Sequence, residues 1–376
     1  TKSRPLASRR SRPVPVDVPL AHFSDRLIFV TVVLYALAML GYAAEFAFGR
    51  RSQGAAEAAG AEQLQQARVL VGAGGPESST GGSSSTGPSS TGYGPVLADG
   101  TVLDLDAGRP RRPRREGSPR AGTAGIAAVL LTIAGWAVHV GAVVTRGFAA
   151  HRVPWGNMYE FSMMITLIVV TGFLLLLTRQ PVRYLGAFVM GPVVCYLGVA
   201  GTVLYTPAGP LVPALHSYWI VIHVIAVISA TGIFALSAVV TTLFLVRDRY
   251  ESAMAAGRTP GQIASIGRLL PSSASLDTNA FRIVAFGFPV WTFGVIAGAI
   301  WAESAWGRYW GWDPKETFSF ITWVVYAAYL HARATAGWKG RRAAYISLFA
   351  FACLTFDFYG VNLWFAGLHS YQGPGV

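Results

Sequence analysis

Apolar residues in this chain gather into runs of about twenty, separated by short polar stretches, rather than alternating or marking one stripe of a helix. The first run covers residues 27–48. After a long gap, seven more follow at about 123–145, 160–178, 183–205, 218–246, 281–300, 318–336 and 343–363. A hydrocarbon core about 30 Å thick is crossed by roughly 20 helical residues, so each run predicts a spanning helix. Lipid offers no partner for an unpaired backbone amide, which leaves helices as the way to span. The pattern predicts an all-α fold: a polytopic membrane helix bundle of about eight transmembrane helices.

The gaps have their own character. Residues 1–26 are basic and carry Arg9, Arg10, Arg12 and four prolines, which predicts a disordered tail. Residues 49–122 are rich in Gly, Ser, Thr and Ala and close on the basic run 109–115. They predict a disordered low-complexity linker, with at most a short Ala/Gln helix near 55–70. The bundle proper is expected over residues 123–376. No cleavable leader is expected, because the first apolar run begins near Leu27 and is long enough to span.

Composition agrees with the pattern: 53% of the 376 residues are hydrophobic and 13% are charged, about half the charged share of a soluble domain. The net charge of +12 lies mostly in a few loops, which records topology and excludes a nucleic-acid reading. The loops with Arg179 and Arg183, with Arg247, Arg249, Arg258 and Arg268, and with Arg333, Lys339, Arg341 and Arg342 are expected in the cytoplasm. Residues 146–159, 206–217, the segment 301–317 and the C-terminus are then external. Eight spans also put the basic N-terminus outside, against its own charge; the internal loops agree with one another and outvote it. The two cysteines, Cys195 and Cys353, lie alone in apolar runs, so packing is their expected role. The chain has no Cys-x-x-Cys pair.

Candidate chemistry concentrates in residues 301–317, Trp-Ala-Glu-Ser-Ala-Trp-Gly-Arg-Tyr-Trp-Gly-Trp-Asp-Pro-Lys-Glu-Thr, which hold four of the eleven tryptophans. Two readings stay open: an aromatic belt at the membrane boundary, or a flat aromatic shelf with polar edges for a large planar ligand. Asp313-Pro314-Lys315-Glu316 reads as a helix start, with Asp as N-cap, Pro at the first helical position and Glu closing a capping box. The cap does not explain Trp306, Trp310 and Trp312.

Of the seven histidines, His139, His151, His216, His223 and His369 fall at or near the outer side in this topology. Each alone fits a hydrogen-bonded boundary residue. Imidazoles from opposite sides of a porphyrin plane are also a common axial pair for haem iron. His331 differs, lying about 27 Å down the seventh span from Asp313. It reads either as a residue near the inner boundary beside Arg333 or as an intramembrane functional group.

The run Trp-Ala-x-x-Ala-Trp-Gly-x-Tyr-Trp-x-Trp-Asp-Pro-Lys-Glu, with Tyr-Leu-His-Ala-Arg at 329–333 and Gly-Leu-His-Ser-Tyr at 367–371, resembles the WWD-domain haem-handling proteins. The resemblance is to the CcsA (ResC) family of cytochrome c biogenesis and covers about residues 153–371, including residues 154–161 and the Trp219/His223 segment. Phe318 departs from the Trp common in the family. The resemblance implies that haem b, as substrate, moves from the cytoplasmic side to an external site. There it would be joined by thioethers to the Cys-x-x-Cys-His motif of apocytochrome c, making the chain part of a cytochrome c haem lyase. His223 and His369 would hold the iron outside and His331 would hold it in transit. Trp301, Trp306, Tyr309, Trp310 and Trp312 would line the external site, with Trp306, Trp310, Trp312 and Asp313 closest to the chemistry. Arg308, Lys315 or Arg152 could pair with a propionate. Implied partners are a CcsB/ResB-type membrane subunit, apocytochrome c and a thioredoxin-like thiol reductant. The implied location is the bacterial plasma membrane, with the haem site extracytoplasmic. An alternative is a haem chaperone that delivers without ligating.

Overall fold

The computed structural model describes residues 16–72, 119–209 and 217–369. Among these residues all regular structure is helical: α1 (Val18–Gly72), α2 (Pro119–Ala149), α3 (Met158–Arg179), α4 (Gly186–Thr202), α5 (Tyr218–Ala255), the short α6 (Gln262–Ser265), α7 (Ser273–Trp306), α8 (Pro314–Ala334), α9 (Arg341–Phe358) and α10 (Gly360–Trp364). By Cα proximity the chain forms two units, Thr1–Ala44 with Ala124–Val376, and Glu45–Thr123.

Seven stretches among the described residues are long and apolar enough to cross a membrane: Val18–Phe48, Ala121–Ala149, Met158–Arg179, Arg183–Thr202, Tyr218–Ala255, Ser273–Trp306 and Arg341–Trp364. The remaining predicted span is α8. Its 21 residues are long enough, but Lys315, Glu316, His331 and Arg333 near its ends make it less apolar. Through Tyr326 and Tyr329 it packs into a cluster with Ala343, Ala350 and Leu354 of α9. The chain is a multi-pass helical membrane protein with a bundle of about eight helices.

Two expected boundaries change. α1 starts at Val18, inside the segment predicted to be a disordered tail. The Asp17 carboxylate accepts from the Leu20 N–H at 3.0 Å, and Pro19 sits in the first turn, where no backbone N–H is needed. At its other end α1 runs through Gly72, so the helix is continuous over residues 49–72, where the sequence predicts at most a short helix near 55–70. Ala, Glu, Gln and Arg, all strong helix formers, outweigh the few glycines there. The rest of the predicted linker, and residues 1–15, lie outside the described residues.

α5 lies at the centre, with α7 along its length and α3 and α9 against other faces. At one end of the bundle, charged side chains tie the elements together. Arg146, fully buried, contacts Glu160 at 3.1 Å and Asp25 at 3.2 Å, and Arg152 contacts Glu160 at 2.7 Å. The Gly156 N–H adds a bond to Glu160 (2.8 Å), Tyr205 and Tyr159 donate to Asp25, and Arg146 and Arg152 cap the Thr206 and Gly209 carbonyls. This knot joins the starts of α1 and α3, the end of α2 and the turn after α4. The start of α1 therefore lies at the same end as residues 146–159 and 203–209, as the internal loops required. Arg333 and Asp277, paired at 2.7 Å, bring together the end of α8 and the start of α7.

Candidate functional site

The tryptophan-rich segment is built around two helix ends. α7 stops where Gly307 takes a left-handed conformation (φ 69°) and its N–H bonds to the Glu303 carbonyl. Before α8 the chain turns sharply at Trp312, whose φ of 58° is costly for a bulky residue. Glu316 holds that turn: its Oε2 accepts from the Gly311 N–H (2.7 Å) and from the Asp313 N–H (3.1 Å). The capping box read from the sequence is present, and Gly311 is an additional donor to it.

Asp313 does more than begin a helix. Its carboxylate accepts from the Leu368 N–H at 2.9 Å and from His369 Nδ1 at 2.8 Å, fastening the segment after α10 to the start of α8. Burial pushes this carboxyl's pKa up, but the bonds from His369 and the Leu368 amide outweigh it and hold the group below its ordinary value. With Nδ1–H committed to a carboxylate, His369 presents Nε2 as its lone-pair nitrogen.

His223 is fixed in the same sense by a different partner. Its Nδ1 lies 2.7 Å from the Gly294 carbonyl of α7. A carbonyl only accepts, so Nδ1 carries the proton and Nε2 the lone pair. The ring fits because residue 298 is glycine: a Cβ there would lie 2.6 Å from His223 Cε1 and Nδ1. Trp301, almost fully buried, stacks on His223 with ring centroids 6.1 Å apart at 11° and meets His369 edge-on at 5.7 Å. Trp306 adds a contact to His369 at 4.7 Å. Residues from α5 and from beyond α10 thus meet around one indole.

Both histidines line a cavity of about 120 Å³ that is partly open to solvent. Its walls are largely apolar, from α3, α5, α7 and α9, with Trp155, Tyr309 and Trp310 contributing aromatic surface and Lys315 and Asp357 facing it from α8 and α9.

Of the two readings that the aromatic segment's density left open, a boundary belt or a flat shelf, the rings do not form a flat shelf. Trp301 and Trp306 meet at 65° and Trp310 and Trp312 at 88°, because aromatic pairs favour edge-to-face contact and the turn at Trp312 reverses the chain between neighbours. The rings divide by task. Trp301 and Trp306 back the histidines, Tyr309 and Trp310 face the cavity, and Trp312, 66% exposed, turns outward beside Phe320. Phe318 packs on Phe356 at 4.7 Å.

The other candidates fall elsewhere. His331 is exposed on the last turn of α8 and does not line the cavity. His139 is buried with Nδ1 3.4 Å from the Tyr35 hydroxyl, His151 is exposed in the turn after α2, and His216 lies outside the described residues. Of the three candidate cations, Arg152 is engaged with Glu160, Arg308 lies over the Gly311 backbone, and Lys315 faces the cavity. Sequence reasoning missed Gly298 and Asp357, and included Trp155 in the family-like stretch 154–161 without assigning it to the site. The spacing Gly294-x-x-x-Gly298 was the available signal for close helix approach, and an acid inside the apolar run 343–363 was the signal for Asp357.

Residues 155–369 match the family described as Cytochrome C assembly protein, a stretch that contains every described residue of this cavity. The chain belongs to the CcsA family. It is 34% identical to the cytochrome c biogenesis protein CcsA of Synechococcus elongatus over 299 residues, covering 69% of this chain and 89% of the relative. Against CcsA of Trieres chinensis it is 34% identical over 251 residues, 60% of this chain and 80% of the relative. CcsA of Gloeobacter violaceus is 31% identical over 296 residues, 66% of this chain and 86% of the relative. Membership assigns this CcsA-family chain a role in cytochrome c biogenesis.

Proposed function

We propose that the cavity receives haem on the extracytoplasmic side of a bacterial plasma membrane and presents it for thioether attachment to the Cys-x-x-Cys-His motif of apocytochrome c. The observation that carries this reading is the matched state of two histidines on one cavity. His223 and His369 each spend Nδ1–H on a fixed acceptor, one a carbonyl and one a carboxylate, so that each offers Nε2 to a metal. An iron-bound imidazole needs this tautomer, and the second acceptor also fixes ring orientation and raises basicity.

The protein's own residues then position and shield. His223 and His369 set the plane of the macrocycle, Trp155 and Trp310 cover apolar surface, and the Trp301/Trp306 pair keeps the imidazoles from rotating. Attachment adds each cysteine S–H across a vinyl group, sulfur to the carbon beside the ring and hydrogen to the outer carbon, with no net redox change. His331, exposed at the far end of α8, would bind haem in transit, with its opposite ligand from a CcsB/ResB-type subunit. A thioredoxin-like reductant would keep the acceptor thiols reduced.

The test is the absorption spectrum of the purified full chain loaded with haem. A low-spin bis-histidine signal is expected, lost when His223 and His369 are both replaced by Ala; its survival would rule out these ligands. Supplying a Cys-x-x-Cys-His peptide to the chain with its membrane partner should yield thioether-linked product. Stable haem binding without product would identify a delivery chaperone instead.

A further inference from the structure

The cavity contains a polar pair that neither its helix caps nor the axial ligands use. Lys315, in the first turn of α8, faces the cavity, and among the described residues its ammonium makes no direct ion pair; its close contact is the Phe358 ring, 5.9 Å from Nζ. Asp357, near the end of α9, is 5% exposed and lines the same cavity, and its Oδ1 has no hydrogen-bond partner. Asp357 and Asp313 both act electrostatically on Lys315. Asp313, however, is committed to His369 and Leu368. A cation and a carboxyl left unsatisfied in an apolar cavity are expensive, and the expense is removed by an anion that pairs with the first and accepts from the second.

We infer that Lys315 and Asp357 form a carboxylate-recognition site on the α8/α9 wall of the cavity, taking the propionate side of the macrocycle. The inference rests on the haem reading above and deepens it. Lys315 pairs with the incoming carboxylate. Asp357, carrying a proton, donates to one of its oxygens, so that the cation, the carboxylate and the carboxylic acid together are neutral. Two anions on a single cation would leave a buried net negative charge. Of the other candidates for this role, Arg152 is held by Glu160 and Arg308 sits against Gly311, where a Cβ would be, outside the residues that line the cavity. The consequence is orientation. Propionates and vinyls lie on opposite edges of the macrocycle, so anchoring the propionates at the α8/α9 wall turns the reactive vinyl edge away from it.

The test compares haem with its dimethyl ester, which keeps the iron, the ring and the vinyls but loses both carboxylates. Affinity for the full chain is read from the low-spin absorption band. The natural chain should bind haem about tenfold or more tightly than the ester, the scale of one charge-assisted bond. Lys315→Met should erase that preference by weakening haem alone, with ester binding showing that the variant is folded. Lys315→Arg and Asp357→Asn should keep most of it, since each retains the charge or the donor. Equal binding of acid and ester by the natural chain, or an unchanged preference in Lys315→Met, would overturn the assignment while leaving the histidine site standing. Binding of neither compound would overturn both.

Discussion

Two of the charged groups inside this bundle are built on opposite principles. Around Glu160, two arginines, a second carboxylate, two tyrosine hydroxyls, a backbone N–H and two carbonyls leave little unsatisfied. Around Lys315 and Asp357, among the described residues, a cation faces the cavity without a direct ion pair and a buried carboxyl oxygen, Oδ1 of Asp357, has no hydrogen-bond partner. The first arrangement fastens helices and has no room for a ligand. The second is costly unless something binds. In a membrane protein an ionisable residue attracts a functional reading by default, and the contrast shows that the state of its partners, more than its presence, separates a structural rivet from a binding site.

This contrast breaks or sharpens under substitution. Glu160→Ala leaves buried Arg146 with only Asp25 of its two carboxylates and Arg152 with none, and should destabilise the fold by about 3–5 kcal/mol, seen as a lower thermal midpoint and a poor yield of folded protein in detergent. Asp357→Asn should move the same midpoint by less than about 1 kcal/mol. Similar losses from the two would erase the distinction. Next in size is Gly298→Ala, whose added methyl collides with the His223 ring. A cost of about 1–3 kcal/mol in stability should come with a weakened low-spin haem signal, as the imidazole is pushed off its seat. An unchanged spectrum would mean that the ring position is not what matters.

Asp313→Asn tests the link behind His369. Removing the carboxylate should lower haem affinity by about tenfold to a hundredfold in a spectroscopic titration, the usual cost of losing such a support. Its pH dependence has a definite sign. The Asp313 carboxyl is held below its ordinary value of 3.8, so its stabilising contribution is complete above that pH and is lost as pH falls through the lower folded value. The part of the thermal-midpoint difference between the natural chain and Asp313→Asn that comes from this carboxyl should therefore shrink under acid, as pH falls through its lowered folded value. The smallest effect is expected from His331→Ala. Since His331 is exposed and away from the cavity, the spectrum of the directly loaded cavity should not change. Haem acquired during expression with the partner subunit should fall.

Much of the architecture was legible because its causes are local. A run of twenty apolar residues is long enough to span wherever it occurs, and the box from Asp313 to Glu316 closes over three residues. The same locality misled at α1. Low complexity over 49–72 suggests a linker with at most a short helix near 55–70, whereas its Ala, Glu, Gln and Arg content carries helix α1 through the whole stretch. Tryptophan density identified the segment that builds the site but not its shape, because ring angles follow from a turn whose strain is held by Glu316.

By itself, then, the sequence determined the apolar spans, the helix start at Asp313 and a short roster of imidazoles and indoles, all properties of neighbouring residues. Only the tertiary structure decided which nitrogen each histidine offers, which of three cations faces the cavity, and that Asp357 belongs there. Those outcomes depend on partners far apart in the chain: Gly294 lies 71 residues from His223, and Asp313 lies 56 from His369. Hydrogen-bond saturation is a property of the assembled neighbourhood, and no local pattern encodes it.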